Sequence, residues 1–457
     1  MCAHYTRARL EQKGRQGGQR SACQENASPN DTKRQIGFSF GSCVFADRLT
    51  KLKEITKTDS ALLFSYFQNL CNLGTVVMTR EPTYQAARAV ASTIEAHFAR
   101  HLVEARRRGE QKLAHAPDAR TIEAIIDAGF WSSFRPEEGR FPKISLAFLP
   151  PEQAGQPLMF EERLPLTPAV LTKLAPAVER PGIHLGVWGD ASDLYVWGAT
   201  RLIPSLGFVL EDVEPGQLVI KHRRIDGFGK YANVAVLKGE QVKIVDEQGA
   251  SLPDCPDLIK SLRAFTAPAT WDDSVNVLVQ MAASMRAHGH GGTLLVVPSE
   301  KEKWRASIVH PILYSVAPPY SKLANLIRNS PSPESENDWQ SSVRSSVESI
   351  AGLTAVDGAT VITDQYEVLA FGVKIKPAPG SASVEQMVLT QPVVGDQAVV
   401  VPPVQHGGTR HLSAAQFVYD QRDALALVAS QDGRFTIFAW SPCEEMVHAH
   451  RVDVLLL

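Results

Sequence analysis

Two short stretches of this chain carry residue types that handle phosphates and cations. The first is Asp357-Gly358-Ala359, directly ahead of the apolar run Thr360-Val361-Ile362. A carboxylate at the mouth of a strand, followed by two small residues, leaves room for a ligand to lie against backbone. The acid can then accept a ribose hydroxyl or bind a cation. The same tripeptide is also an ordinary Asp-Gly turn, and three residues do not choose between the two. The second stretch is Gly407-Gly408-Thr409-Arg410-His411, leading into a helix that Ser413-Ala414-Ala415 opens. Glycines, a hydroxyl, a forked cation and an imidazole at a helix start are the groups a triphosphate needs, because free helix N–H groups and a guanidinium both donate to anionic oxygens. A capped loop is the plainer reading of the same residues. A third polar cluster, His288 to Gly292, reads as the C-cap of a preceding helix or as a lip of the same cleft.

The familiar alternatives find no foothold. The sequence has no GxxxxGK[ST] loop, no GxGxxG and no HExxH, so the usual ATPase, dehydrogenase and zincin patterns are missing. Cysteines 2, 23, 43, 71, 255 and 443 form no CxxC pair, which argues against a zinc knuckle or a disulfide framework and fits a reducing, cytoplasmic setting. The 47 basic and 49 acidic residues give a net charge of −2, so no global field draws the chain to nucleic acid or to an anionic membrane. The apolar runs fall short of the roughly 20 residues that span a bilayer, so neither export nor membrane insertion is expected.

The elements that must position these groups follow from periodicity. At 457 residues the chain is long enough for two or three domains. Residues 1–35 hold seven basic and three acidic side chains among Gly, Gln and Asn, a composition that reads as a disordered basic tail. Residues 36–265 read as an α+β domain. A short helix is expected at 59–70, and a second one follows Pro82, with Ala87, Val90, Ile94, Phe98 and Leu102 on one face and its end near Gly109. A third spans about 121–128. Strands are expected at 144–148, 183–188, 194–197, 217–222, 233–237 and 241–245. Prolines 253, 256 and 268 mark a boundary. Residues 266–457 read as an α/β domain with a central mixed sheet flanked by helices. Its expected helices lie at 271–285, 320–328, 338–350 and 413–419. Its strands are expected at 293–297, 360–362, 368–375, 385–390, 424–429 and 435–439, with 391–408 rich in turns.

Taken together and in order, His290-Gly-Gly-Thr-Leu-Leu-Val-Val-Pro298, Asp357-Gly-Ala359, Leu369-Ala-Phe-Gly-Val373 and Gly408-Thr-Arg-His411 resemble the diadenylate cyclase domain family, of the DisA N-terminal type. The resemblance covers about 270–440, and the large N-terminal region resembles the subgroup in which that region is a sensor domain. It implies condensation of two ATP molecules into cyclic di-AMP, with release of two pyrophosphates, by a homo-oligomer whose active sites close face to face. Carried onto this chain, it makes Asp357, Arg410 and His411 catalytic, with Asp357 engaging the 3′-hydroxyl and a divalent metal, Mg²⁺ or Mn²⁺. Gly358 and Ala359 would pack near the nucleotide. Gly408, Thr409, Arg410 and Ser413 would hold the nucleotide and its phosphates, and His411 would approach the metal.

Two positions depart from the family pattern. An Arg-His-Arg run is common there, and here the third residue is Leu412. A Glu tends to follow the Ser of the late strand-turn segment, and here Ser430 is followed by Gln431-Asp432. A lost charge-assisted phosphate contact costs about 1.5–3 kcal/mol. The alternative is therefore a non-catalytic nucleotide or cyclic-dinucleotide sensor that uses the same cleft. A purely structural protein, in which the α/β domain only mediates assembly, is the third class.

Overall fold

The computed structural model describes residues 83–225, 231–247, 249, 273–329 and 336–457. The chain divides into two compact units, 1–82 and 83–457, and every described element belongs to the second. The tail at 1–35, the helix expected at 59–70 and the boundary expected around 253–270 lie outside the described residues.

The first half of the unit begins with α1 (Gln85–Arg107) and α2 (Ala119–Ser133). Along α1 the residues Ala87, Val90, Ile94, Phe98 and Leu102 are buried, as their three- and four-residue spacing requires. Asp118 caps α2 by accepting from the Thr121 backbone N–H at 2.7 Å. The strands are β1 (Ser145–Phe148), β2 (Leu158–Pro165), β3 (His184–Trp188), β4 (Tyr195–Thr200), β5 (Phe208–Glu214), β6 (Gln217–Arg223), β7 (Tyr231–Lys238) and β8 (Gln241–Ile244), with α3 (Pro168–Val178) between β2 and β3. They form one mixed sheet in the order β2-β4-β3-β1-β5-β6-β7-β8. Only β1 and β3 run parallel. Ile94 and Phe98 of α1, Ile122 and Ile126 of α2 and Leu171 of α3 pack on the face carrying Leu146, Val187, Phe208, Leu210 and Ile220.

The second half comprises α4 (Asp273–Ala287), β9 (Gly292–Val297), β10 (Tyr314–Tyr320), α5 (Lys322–Arg328), α6 (Glu336–Leu353), β11 (Ala359–Thr363), β12 (Val368–Val373), β13 (Met387–Thr390), β14 (Val399–Val401), α7 (Thr409–Asp420), β15 (Leu425–Ala429), β16 (Phe435–Ser441) and β17 (Met446–Arg451). Nine strands form a second mixed sheet, β10-β12-β11-β9-β15-β16-β17-β13-β14. β9 sits near its middle and is buried at all six positions, which explains its unbroken apolar sequence: both faces are covered. Leu294 and Val296 pack with Met281, Met285, Val347 and Ile350 of α4 and α6. Leu295 and Val297 pack on the other side with Ala414, Phe417 and Val418 of α7.

Six elements were not anticipated, and each has a local reason. β2 is a mostly exposed edge strand carrying Glu161, Glu162 and Arg163, so no alternation shows. β10 contains Pro318 and Pro319, tolerated because it too lies at a sheet edge. β5 buries Asp212 and β17 buries His448 and His450, polar residues that mask their strands. β14 has three residues in a turn-rich stretch, and α3 is short, marked at its start only by the Thr167 cap and Pro168. One boundary matters for the site: α7 begins at Thr409, four residues before the expected Ser413.

The two sheets meet within this unit. Asp246 N–H donates to Pro392 O and Val394 N–H donates to Ile244 O, both at 2.9 Å. Val219 and Val236 pack on Val454, and Asn233 Nδ2 donates to Val454 O at 2.8 Å.

Candidate functional site

The strand register gathers the chemistry at one end of the second sheet. Ala359 of β11 pairs with Val373 of β12, which sets Asp357 beside Lys374 just outside the sheet. Ala359 also lies opposite Thr293 of β9, and Gly292 lies opposite Ala429 at the end of β15. Only residues 421–424 separate α7 from β15. The helix therefore runs back along its strand, and its first turn returns to the end where Ala429 and Ser430 sit.

The result is a cleft of about 510 Å³ lined by Asp357, Gly358, Ala359, Gly408, Thr409, Arg410, His411 and Ser413, all eight residues singled out from the sequence. Thr293, Lys374, Ala429 and Ser430 complete much of its wall. Thr409, Arg410 and His411 form the first turn of α7 rather than a loop before it. Gly408 at the N-cap supplies no side-chain acceptor, which leaves backbone N–H groups of the first turn for an anion. Gly358 has φ +120°, and a Cβ there would lie 2.5 Å from the Gly372 carbonyl carbon, so the tight crossing of β11 and β12 requires glycine.

Asp357 is 89 % exposed along its side chain, and Lys374 Nζ lies 2.6 Å from its Oδ2. That hydrogen-bonded ammonium, with Arg410 behind it, holds the carboxyl below its usual range. His411 is buried, and burial lowers its pKa; Asp432 opposes this while Arg434 and Arg410 reinforce it. The imidazole is therefore neutral at neutral pH and able to offer a nitrogen lone pair. The His288–Gly292 segment ends the helix, as considered for it, and stands behind the cleft rather than among its lining residues. It turns the chain out of α4, with Gly289 and Gly291 at positive φ, and Gly291 abuts Arg410, whose Nη1 would lie 3.0 Å from a Cβ placed there.

The region of the second departure is arranged differently from a cleft carboxylate. Gln431 Nε2 donates to His290 O at 3.3 Å. Asp432 pairs with Arg434 at 3.1 Å and lines a separate groove with Arg286, Lys243 and Arg451.

Sequence reasoning passed over two features. An apolar shelf of Leu313, Tyr314 and Val356 adjoins Asp357; these residues are 80, 48 and 37 % exposed, and the Tyr314 ring stacks on Phe371 at 4.9 Å. The second is a group of side chains that can coordinate a metal ion, His97, His101 and Glu247, in the first half of the unit. Its signal was present as His-x-x-x-His on the amphipathic helix α1. Burial would raise the Glu247 carboxyl, but hydrogen bonds from His101 and His97 outweigh it and hold the group well below the usual carboxylate range.

Residues 111–201, which run from the end of the α1 turn through β4, match a family model described as "Probable sensor domain DACNV". Over that stretch the chain is similar to a sensor-type domain. The match includes neither the cleft nor the His97–His101–Glu247 group. No curated protein matches the chain. Among solved structures, a hypothetical membrane spanning protein from Bacillus cereus aligns at 16 % identity over 42 % of this chain and 70 % of that one, with a TM-score of 0.24. Among the described residues, no helix is long and apolar enough to cross a membrane.

Proposed function

We propose that the second half of this unit is a diadenylate cyclase domain, joining two ATP molecules into cyclic di-AMP with release of two pyrophosphates, and that the sensor-type region before it regulates that reaction. One observation carries this reading: Asp357 and the Thr409–His411 turn, which begins 52 residues later in the sequence, line one cleft. Arg410 and the free N–H groups of α7 would grip the phosphates, Gly358 and Ala359 would let the nucleotide lie against backbone, and Asp357 would face the 3′-hydroxyl.

The donor set suits a divalent ion. One carboxylate completed by phosphate oxygens and water is a common Mg²⁺ environment, and a neutral His411 nitrogen adds a donor that Mn²⁺ accepts. Asp357 and His411 would hold the ion, which would supply charge neutralisation at the phosphates. The exposed Leu313–Tyr314–Val356 shelf beside Asp357 supports a second copy meeting the cleft face to face, as a reaction between two bound ATP molecules needs.

The test is mass spectrometry of ATP incubated with the protein and Mg²⁺ or Mn²⁺ at several protein concentrations. Cyclic di-AMP and pyrophosphate should form with a rate per subunit that rises with concentration, and Asp357→Asn should abolish both. Absence of product under every metal and concentration would overturn the cyclase reading. A second reading, nucleotide sensing without turnover, is favoured by the Lys374 ion pair on Asp357 and by the engagement of Gln431 and Asp432 elsewhere. It requires calorimetric binding of ATP or cyclic di-AMP with no product.

A further inference from the structure

We propose that His97, His101 and Glu247 form a binding site for a divalent transition-metal ion of the zinc class, placed where the two sheets meet and open on one side to the adjoining cavity. This site stands whatever chemistry the cleft performs.

The geometry begins with α1. His97 and His101 are four residues apart, so one helical turn stacks both imidazoles on the same face, with ring centroids 4.5 Å apart. Glu247 arrives from the opposite direction, three residues beyond β8. Its Oε1 lies 2.5 Å from His97 Nδ1, and its Oε2 lies 2.8 Å from His101 Nε2. One potential ligand atom from each residue can be chosen so that all three lie within 4.8 Å of one another. A tetrahedral ion with bonds near 2.0–2.2 Å spaces its donors by roughly 3.3 Å. Small rotations of the two rings and the carboxylate therefore suffice to receive one.

Donor chemistry selects the class of ion. Two neutral nitrogens and one carboxylate match zinc and its neighbours, whereas Mg²⁺ and Ca²⁺ prefer oxygen throughout. Three protein ligands leave a coordination position vacant, the arrangement of sites where water or a ligand completes the shell. That position faces a cavity of about 670 Å³ walled by Thr93 and Arg100 of α1, by Val245 and Asp246, and by Val394 and Asp396 from the second half. The surroundings also orient the donors. His97 Nε2 lies 3.3 Å from His222 Nδ1, the outer-shell contact that fixes a ligating imidazole.

One side chain stands against the ion. Arg100 Nη2 is 2.8 Å from Glu247 Oε2 and 3.4 Å from His101 Nε2. Its side chain is 56 % exposed, so it can swing into solvent when a cation takes its place. Glu247 is one residue beyond Asp246, whose N–H binds Pro392 O. An ion there fixes the backbone that joins the two sheets, next to the 392–397 loop that leads through β14 to α7.

The experiment uses the full chain, stripped of metal, with zinc affinity measured by competition against a chromophoric chelator and with Co²⁺ as a spectroscopic probe. The wild type should bind one ion that is lost in His101→Gln and in Glu247→Gln, with affinity lower by about 100-fold or more, beyond the loss of an outer-shell partner. Co²⁺ should give visible absorption bands in the wild type that vanish in Glu247→Gln. Arg100→Ala should bind at least as tightly as the wild type. His101 and Glu247 are only partly buried, and far-UV circular dichroism would verify that the variants fold. Zinc binding and a Co²⁺ spectrum that are the same in the wild type and in the His101→Gln/Glu247→Gln double variant would overturn the proposal.

Discussion

Lys374 Nζ and Asp357 Oδ2 are 2.6 Å apart at the edge of the cleft, because the pairing of Ala359 with Val373 brings Asp357, two residues before β11, and Lys374, the residue after β12, to the same sheet end. The carboxylate offered to a cation is thus already shared with an ammonium. On the cyclase reading, the metal and Lys374 compete for Asp357 while Lys374 also faces the phosphates. Lys374→Gln should lower the Mn²⁺ concentration for half-maximal activity by a few-fold, the scale of an exposed ion pair, and raise the KM for ATP. A metal requirement that rises in the variant would contradict this.

Arg410 is the fixed cation of the first turn of α7. A guanidinium grips phosphate through two parallel hydrogen bonds, and an ammonium cannot. On the cyclase reading, Arg410→Ala should reduce kcat/KM by about 10- to 150-fold, the equivalent of about 1.5–3 kcal/mol for a charge-assisted contact. Arg410→Lys should recover only part of that loss. Steady-state kinetics on both variants checks it, and equal activity of the Lys variant and the wild type would remove the paired contact from consideration.

Gly358 joins stability to the site. Its φ of +120° and the 2.5 Å approach that a Cβ would make to Gly372 leave alanine no space without moving β11 or β12. Gly358→Ala should destabilise the protein by about 1–3 kcal/mol and lower its melting temperature while disturbing the cleft. Gly408→Ala is the control, since a Cβ there meets nothing within 4 Å. Equal melting temperatures for the two variants would show that the crossing is looser than described.

What was legible in the sequence was whatever the chain expresses locally. Ala87, Val90, Ile94, Phe98 and Leu102 announced α1, and the apolar run from Thr293 to Val297 announced a strand covered on both faces. The cleft residues were also readable, since Asp357-Gly358 and Gly408–His411 are compact motifs whose residue types already imply phosphate and cation chemistry. Long-range pairing was not readable. Lys374 meets Asp357 only through the β11–β12 register, and Glu247 meets His97 and His101 across about 150 residues. Edge strands such as β10, with two prolines, and strands with buried polar residues, such as β5 and β17, lack the alternation that marks a half-buried strand.

Asp212 supplies the last prediction, because it lies in β5 and is only 7 % exposed. Its Oδ2 makes no hydrogen bond among the described residues. Burial pushes its carboxyl well above the usual range, so the folded protein holds a proton that the unfolded chain releases near pH 3.9. Between that pH and the raised folded value the native state binds more protons, and stability falls as pH rises. Asp212→Asn removes the ionisation and should raise the melting temperature at pH 7.5 by a few degrees. The gain should shrink steadily toward pH 4, where the wild-type carboxyl is protonated in the folded state and about half protonated in the unfolded chain. Burial also pulls His450 down to about 3, so both proteins should lose stability as pH falls below about 6.5. That loss is common to the two and cancels in their difference. Melting curves of both proteins from pH 4 to pH 8 give the answer, and a gain independent of pH would show that Asp212 is ionised in the folded protein.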